Sequence, residues 1–499
     1  MSIKTSLTRR QVLLLSGAAA AGLTFGSLPQ WARSAPTNAP SLPIPALIEA
    51  RNGEPVTLSL QKSVHRFGHG AAVPSTGISS SYLGPVVRVR SGDTIPFRVE
   101  NHLNEDTTLH WHGLLVPSYL DGGPHNMIRP GGVWTPEINI KQPPATTWFH
   151  SHPHGSTARQ VYLGLAGMMI VSDGGDRDRG LPATYGVDDI PLVLQDKRFG
   201  RNGELVYSPT MMDIMHGFQG DTLLVNGAIG PVATVPAGFV RLRLLNAANA
   251  RNFDLRFSDR RPFFVIAGDA GLLPEPVELR NLVIAPAERY EILVNFSDGR
   301  PADLLTAPDT HHDSGSAMMM PIGRRIGGSA ETEVFMQFRP DAALKVSVTQ
   351  LPRELSRLAP PDIASAVAWR TFVLNPMMGM MQMMGMSGSP QMMGINGRSF
   401  SMGRVDVTTK LGTSEIWDIQ STAMAHPFHI HGVSFRILSN GGRRPRPEQS
   451  GWKDVVLVAE QAEILVRFGH PAAPKMPFMY HCHILEHEDH GMMGQFAVV

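Results

Sequence analysis

The sequence predicts an all-β protein of three related β-sandwich or barrel units, and three observations carry that reading. Short runs alternate apolar and polar residues at period two, as at 86–90, 240–244 and 463–467, the pattern of strands with one buried face. Turn signals separate them, among them Ser91-Gly92-Asp93, Asn226-Gly227 and Asn396-Gly397, and the 49 Gly and 40 Pro favour many short strands over long helices. The chain also repeats itself weakly. A strand-like stretch at 89–101 precedes His110, and a similar one at 410–419 precedes His426.

These repeats divide the 499 residues into units at 43–173, 190–340 and 369–499, since a chain of this length exceeds one ordinary core. The middle unit has a matching strand at 240–247 but follows it with Asn252-Phe253-Asp254 and no histidine pair. It reads as a spacer that sets the geometry of its neighbours. A linker is expected at 352–361, and the third unit carries a methionine-rich insertion at 377–393.

The first 34 residues read as a targeting segment, 1–34. Arg9-Arg10 precede a glycine-broken apolar run over 12–28, and Ala32-Arg33-Ser34 offers small residues for cleavage. Paired arginines mark the twin-arginine (Tat) export machinery and hence a periplasmic protein. The run is too short, with no stop signal after it, for stable membrane insertion. A formal charge of +1 gives no electrostatic case for nucleic acid. An exported chain with a single cysteine forms no internal disulfide, so Cys482 is better explained as a metal ligand.

Cys482 sits between His481 and His483, with His487 and Met492 following. Two His, one Cys thiolate and a weak axial Met are the ligands of blue-copper electron-transfer sites. On a strand, His481 and His483 share one face and Cys482 takes the other, so the segment bridges two metal sites. Three further motifs each hold a His-x-His: His110-Trp111-His112-Gly113, His150-Ser151-His152-Pro153 and His426-Pro427-Phe428-His429-Ile430-His431. The paired Cα atoms lie roughly 6.6 Å apart on a strand, which suits two neighbouring metals better than one. The four pairs supply enough imidazoles for three close metals, two with three His and one with two. Parity turns His426 away from His429 and His431, onto the face of Cys482, and supplies the missing histidine. Zinc favours closed tetrahedral sites and has no use for such a bridge.

With these motifs the chain resembles the multicopper oxidases, and within them the Met-rich, three-domain bacterial copper-efflux oxidases and laccases. The resemblance spans the mature chain and implies three cupredoxin-like Greek-key domains and four copper ions. It implies a type 1 copper at His426, Cys482, His487 and Met492, and a type 2 copper at His110 and His429. Of two type 3 coppers, one would take His112, His150 and His483, the other His152, His431 and His481. It further implies one-electron oxidation of a donor at the type 1 copper, transfer through Cys482 and its flanking histidines, and four-electron reduction of dioxygen to water. Asp121, in Asp121-Gly122-Gly123-Pro124, and Glu488 match acids assigned proton delivery in the family.

The donor is read from the methionines. Thioether sulfur favours Cu(I), and Met377, Met380, Met381 and Met384 recur at helical spacing, with Met424 a further contributor. Cuprous oxidase activity in copper tolerance is therefore expected, ahead of a laccase that oxidises phenols beneath an apolar methionine cover. The run Ser421-Thr422-Ala423-Met424-Ala425 lacks the acid that efflux-type members often carry before this motif, so their substrate site does not transfer complete. Met211-Met212, Met215-His216 and Met318-Met319-Met320 after His311-His312 read as core or loop. His102, His125, His154 and His490 read as surface or supporting groups. A non-enzymatic copper carrier has no need of the thiolate bridge. Some exported relatives of the fold have lost their copper ligands and act in cell division, and retention of the full ligand set argues against that role here. A monomer is expected.

Overall fold

The alternating runs form strands, which among the described residues gather into six sheets that occur as sequence-local pairs. A computed structural model describes residues 39–309, 331–375, 393–421 and 423–499. Residues 1–34, read above as a targeting segment, lie outside the described residues, as do His311-His312, Met318-Met319-Met320 and Met377, Met380, Met381 and Met384. Residues 47–172 supply a sheet ordered Leu47–Glu49, Val86–Arg90, Ala166–Ser172, Ala145–His150, and a second built on Val56–His65 and Thr94–Asn101. Residues 189–341 supply sheets of six and five strands, and residues 366–498 two sheets of five.

One parallel pairing recurs in each stretch: Val56–His65 with Thr94–Asn101, Asp189–Lys197 with Phe239–Asn246, and Ala366–Asn375 with Ser414–Ser421. Parallel neighbours need a crossover. Each time, the strand that makes it (Val86–Arg90, Val232–Pro236 or Val407–Thr409) belongs to the other sheet of the pair. The weak sequence repeat thus has a shared topology behind it. Three apolar cores lie within the stretches, around Phe97 and Val99, Leu242 and Phe335, and Trp417 and Phe428. A fourth cluster joins them through Trp148, Val193, Leu245, Val455 and Leu485. Ala39–Val499 accordingly form one compact unit.

Alternation here does not always mean a solvent face. In Phe239–Asn246 the apolar face (Val240, Leu242, Leu244) enters the middle core, and the polar face is buried too. Arg241 Nε donates to Glu291 Oε2 (2.8 Å), Arg243 Nε to Asp189 Oδ1 (2.7 Å), and Arg243 Nη1 to Glu291 Oε1 (2.8 Å). Thr146 Oγ1, from the first stretch, also donates to Glu291 Oε1 (2.6 Å). Buried charges persist only when paired and hydrogen-bonded in this way.

Three short α-helices matter to the site: α1 (Thr157–Leu163), α2 (Met211–His216) and α3 (Leu485–Asp489). A capping box between Thr210 and Asp213 starts α2. The Asp489 carboxylate at the end of α3 accepts from Thr157 N (3.0 Å) and Ala158 N (2.9 Å). These are first-turn amides of α1 with no partner inside the helix, and an anion there is favoured. The C-terminal turn is thereby tied to the first stretch. No helix among the described residues is long and apolar enough to cross a membrane.

Candidate metal centre

Strand pairing assembles the histidines from the two ends of the chain. His110 and His150 form a bridge, each amide donating to the other's carbonyl (2.8 and 3.1 Å). In the last stretch, His426–Ile430 and Phe478–Cys482 run antiparallel, with Phe428 opposite Cys482 and His429 opposite His481. Period-two alternation then sends His429 and His481 to one face and His426 and Cys482 to the other. The first face meets the first stretch. His112 stacks on His429 with ring centroids 3.7 Å apart, and His110 on His431 at 3.9 Å. All eight rings are buried.

Among the described residues, ring nitrogens come within metal-sharing reach in three all-histidine sets, His110, His112 and His150, then His110, His429 and His431, and then His152, His431 and His481. His112, His150 and His483 have centroids 5.2–5.7 Å apart, and His152, His431 and His481 have them 5.0–5.2 Å apart. His110 and His429 remain, at 5.9 Å. Of the sets that the resemblance implies, His152, His431 and His481 coincide with one of these ring-nitrogen sets.

Each anchored ring spends one nitrogen on the protein and turns the other inward. His110 Nδ1 donates to the Asp121 carbonyl (2.9 Å), His150 Nδ1 to Ser151 (2.9 Å) and His429 Nδ1 to Asp454 (2.8 Å). Their Nε2 atoms are buried with no hydrogen-bond partner, as are both ring nitrogens of His483. His431 Nδ1 donates to Asp121 Oδ2 (2.7 Å) and His481 Nδ1 to the Cys482 carbonyl (3.0 Å), yet their Nε2 atoms face each other at 3.1 Å. A neutral imidazole whose Nδ1 donates carries a lone pair on Nε2. Two such lone pairs at this separation repel, and a shared cation removes the conflict. Burial, reinforced by neighbouring rings, holds His112, His150, His429, His431 and His483 well below the usual histidine range, which keeps the lone pairs available. His152 is shifted the same way by burial, with Glu488 opposing.

The thiolate site lies on the opposite face. Cys482 Sγ is 3.4 Å from His426 Nδ1 and 3.7 Å from His487 Nδ1, and those nitrogens are 3.3 Å apart. The centre of that triangle is roughly 2 Å from each atom, the ordinary length of a metal–nitrogen or metal–sulfur bond. Met492 is buried in the same cluster, and its carbonyl accepts from Cys482 N (3.1 Å). Ile484 N donates to the sulfur (3.3 Å). Burial pushes the thiol pKa up, so a nearby cation is what would hold it as thiolate. The residues therefore fit copper at both places.

Both expected acids are buried against the cluster. Asp121 Oδ2 accepts the His431 Nδ1 hydrogen bond described above and lies 3.4 Å from His110 Nδ1. Glu488 places its oxygens 3.3 Å from His152 Nδ1 and 3.1 Å from His481 Nδ1. Burial opposes its ionisation, but the two histidines hold the carboxyl below its usual range.

The α2 residues depart from the sequence reading, while the remaining histidines sit as surface or supporting groups as expected. Met211, Met212, Met215 and His216 are neither core nor loop: they form α2, whose Met215 carbonyl accepts from His487 Nε2 (3.1 Å). Met424 is buried in the apolar cluster that holds Cys482. His102 pairs with Glu100 on the surface (3.0 Å), His125 Nε2 donates to Gln495 (2.6 Å), His490 Nδ1 donates to the Glu486 carbonyl (2.7 Å), and His154 packs on Phe400. Sequence reasoning missed Asp454, whose Oδ1 accepts from His112 Nε2 (3.2 Å). Its signal was a charged pair, Lys453-Asp454, abutting the apolar run 455–458. It also missed Glu486, beside His487. Burial pushes that carboxyl up to about 7, and it accepts from Phe218 N (3.0 Å), Asn249 Nδ2 (2.8 Å) and the Tyr207 hydroxyl (3.1 Å).

Three sequence-local pairs of sheets, with eight buried imidazoles gathered from the first and last stretches and a Cys–His–His set beside them, define a β-sandwich protein with candidate metal sites. The chain belongs to the multicopper oxidase family, whose models match residues 47–176, 201–314 and 373–499. Cell division protein FtsP of Xenorhabdus nematophila is 39% identical over 499 residues, covering 99% of each chain, and FtsP of Escherichia coli is 38% identical over the same span. Among solved structures, the laccase-like multicopper oxidase CueO from a lignin-degrading Ochrobactrum, described with oxidase activity towards lignin model compounds, is 50% identical. It has a TM-score of 0.85 and covers 92% of this chain and 100% of its own. A multicopper oxidase from Campylobacter jejuni, described as a metallo-oxidase, is 26% identical with a TM-score of 0.76, covering 93% and 99%.

Proposed function

We propose that this chain is an oxidase that takes electrons singly from Cu(I) and delivers four to dioxygen, giving water. It would act in the periplasm after Tat export, as a monomer of three cupredoxin-like domains at 43–173, 190–340 and 369–499, and contribute to copper tolerance. The observation that carries this reading is the fork at Cys482. Its sulfur meets His426 and His487, while the imidazoles flanking it in sequence enter the eight-ring cluster. Four copper ions bound there, one type 1, one type 2 and two type 3, would supply one-electron acceptance from the donor and oxygen reduction.

The chain's own groups do the rest. His426, Cys482, His487 and Met492 would hold the type 1 ion and His110 and His429 the type 2 ion. His112, His150 and His483 would hold one type 3 ion, and His152, His431 and His481 the other. Cys482 gives the shortest covalent connection between the sites. Asp121 holds the Nδ1 proton of His431, and Glu488 faces the Nδ1 atoms of His152 and His481. Both carboxylates therefore stand beside ring protons at the cluster, placed to accept a proton and pass it on. Burial excludes bulk water from all eight rings.

The α2 methionines support a soft donor, because this helix lies on His487 and Met211 is exposed on it. A phenol is the rival donor. Oxygen uptake with Cu(I) and with a phenol, in the full chain and in one lacking 377–393, separates them. Loss of Cu(I) oxidation on deletion supports the reading, and loss of phenol oxidation alone contradicts it. The FtsP names favour a second reading, a role in cell division. A copper-loaded protein that takes up no oxygen with any donor would support that role instead.

A further inference from the structure

The middle stretch has no metal-ligand motif, yet one of its side chains reaches the cluster. Arg289 is fully buried, and all five of its N–H donors are used. Nε donates to the Thr146 carbonyl (3.1 Å), Nη1 to the Ala287 carbonyl (2.9 Å) and Asp454 Oδ1 (2.7 Å), and Nη2 to the Asp269 carbonyl (3.0 Å) and Asp454 Oδ2 (2.5 Å). Thr146 belongs to the first stretch, Ala287 and Asp269 to the middle, and Asp454 to the last. All three meet on one guanidinium.

Asp454 in turn grips two cluster rings. Its Oδ1 accepts from His112 Nε2 (3.2 Å), and its carbonyl accepts from His429 Nδ1 (2.8 Å). The middle stretch fixes its backbone as well, since Asp269 Oδ2 accepts from Asp454 N (3.3 Å) and Val455 N (3.2 Å). Gly113, next to His112, leaves room for the bridge. Its φ is +89°, and a Cβ there would come within 2.7 Å of Arg289 Nη2 and 2.9 Å of Asp454 Oδ2.

We propose that Arg289 is a positioning residue for the metal cluster. Through Asp454 it fixes the rotation of His112 and His429, so that His112 Nδ1 and His429 Nε2 point into the site. Those two atoms are buried with no hydrogen-bond partner. The two rings come from opposite ends of the chain and touch only by stacking, so each needs an outside hold on its far nitrogen. Arginine suits the task because two parallel bonds fix the plane of a carboxylate, which a lysine ammonium does not do. The proposal rests on the copper reading of the eight histidines.

The test compares wild type with Arg289→Gln, Arg289→Lys and Asp454→Asn after copper loading. Three quantities are read: copper retained per chain against a chelator, the electron paramagnetic signal of the cluster, and the visible thiolate band. For Arg289→Gln, cluster copper should be held about 10–100-fold more weakly, with an altered cluster signal and an unchanged thiolate band. Arg289→Lys should recover only part. A purely structural role would lower the melting temperature and leave copper retention by the folded protein intact, and that result overturns the proposal. If neither Arg289 variant folds, Asp454→Asn decides: weakened cluster copper supports it and full retention overturns it. Wild type that takes up no copper overturns the copper reading and this proposal together. Normal loading in every variant overturns this proposal alone.

Discussion

His429 stands opposite His481 across an antiparallel ladder, one rung from the pair of Phe428 and Cys482. That single-residue offset separates two chemistries. Side chains on one rung face the imidazole cluster, and those on the next face the thiolate pocket. A register slip by one residue would exchange the two faces and abolish both sites.

Cys482→Ser should remove the sulfur without disturbing the other face. Copper content should fall by one ion per chain, the visible thiolate band should vanish and donor-driven oxygen uptake should drop to background. Copper analysis and an optical spectrum check this. Retained oxygen uptake would show that electrons reach the cluster by another way.

Asp121→Asn keeps an oxygen near His431 Nδ1, now 2.7 Å from the carboxylate, but discards the charge. Turnover at saturating donor should fall roughly 100-fold or more, the scale of a positioned proton-transfer group, with copper content and thiolate band intact. Unchanged turnover would remove Asp121 from proton delivery.

Much of the site was legible because it obeys parity. His-x-His spacing, the lone cysteine between two histidines and the odd offset of His426 each fix a face without knowledge of the tertiary fold. The recurrent strand pattern is likewise local. What escaped reading is held by contacts distant in sequence. Arg289 and Asp454 are separated by 165 residues, and nothing near either one announces the other. The polar face of 240–244 looks solvent-exposed in a strand pattern, and only the packing of Thr146 and Glu291 shows that it is buried. The backbone carbonyl of Met215 on His487 has no side-chain signal at all. The methionines at 377, 380, 381 and 384 fall outside the described residues, so their part in donor binding rests on Met chemistry.

Acid stability should depend on Glu291. Burial opposes its charge, but Arg241, Arg243 and the Thr146 hydroxyl lower its pKa from 4.5 to about 2. A depressed folded-state pKa contributes stability above the unfolded value, which is lost as pH falls through the folded value. The window therefore runs from about pH 4.5 down to about 2, and the contribution is roughly 3 kcal/mol. Glu291→Gln should flatten the pH dependence of denaturant unfolding in that window. An unchanged slope contradicts the assignment.

Gly217 closes α2 against the thiolate pocket, with φ at +84° and a Cβ position 2.8 Å from Ile484 Cγ2 and in collision with Ala250. Gly217→Ala should cost about 1–3 kcal/mol through strain and overpacking. It should also shift α2 on His487, raising the donor KM more than it lowers the oxygen-limited rate. Steady-state kinetics with each substrate varied in turn make the check. Equal effects on both steps would detach α2 from donor access.

The most direct test of the central claim is an optical titration of the copper-loaded protein. Anaerobic addition of donor should bleach the thiolate band, and admission of oxygen should restore it in full without release of peroxide. A band that bleaches and stays bleached in oxygen would show that Cys482 is not connected to a working oxygen site.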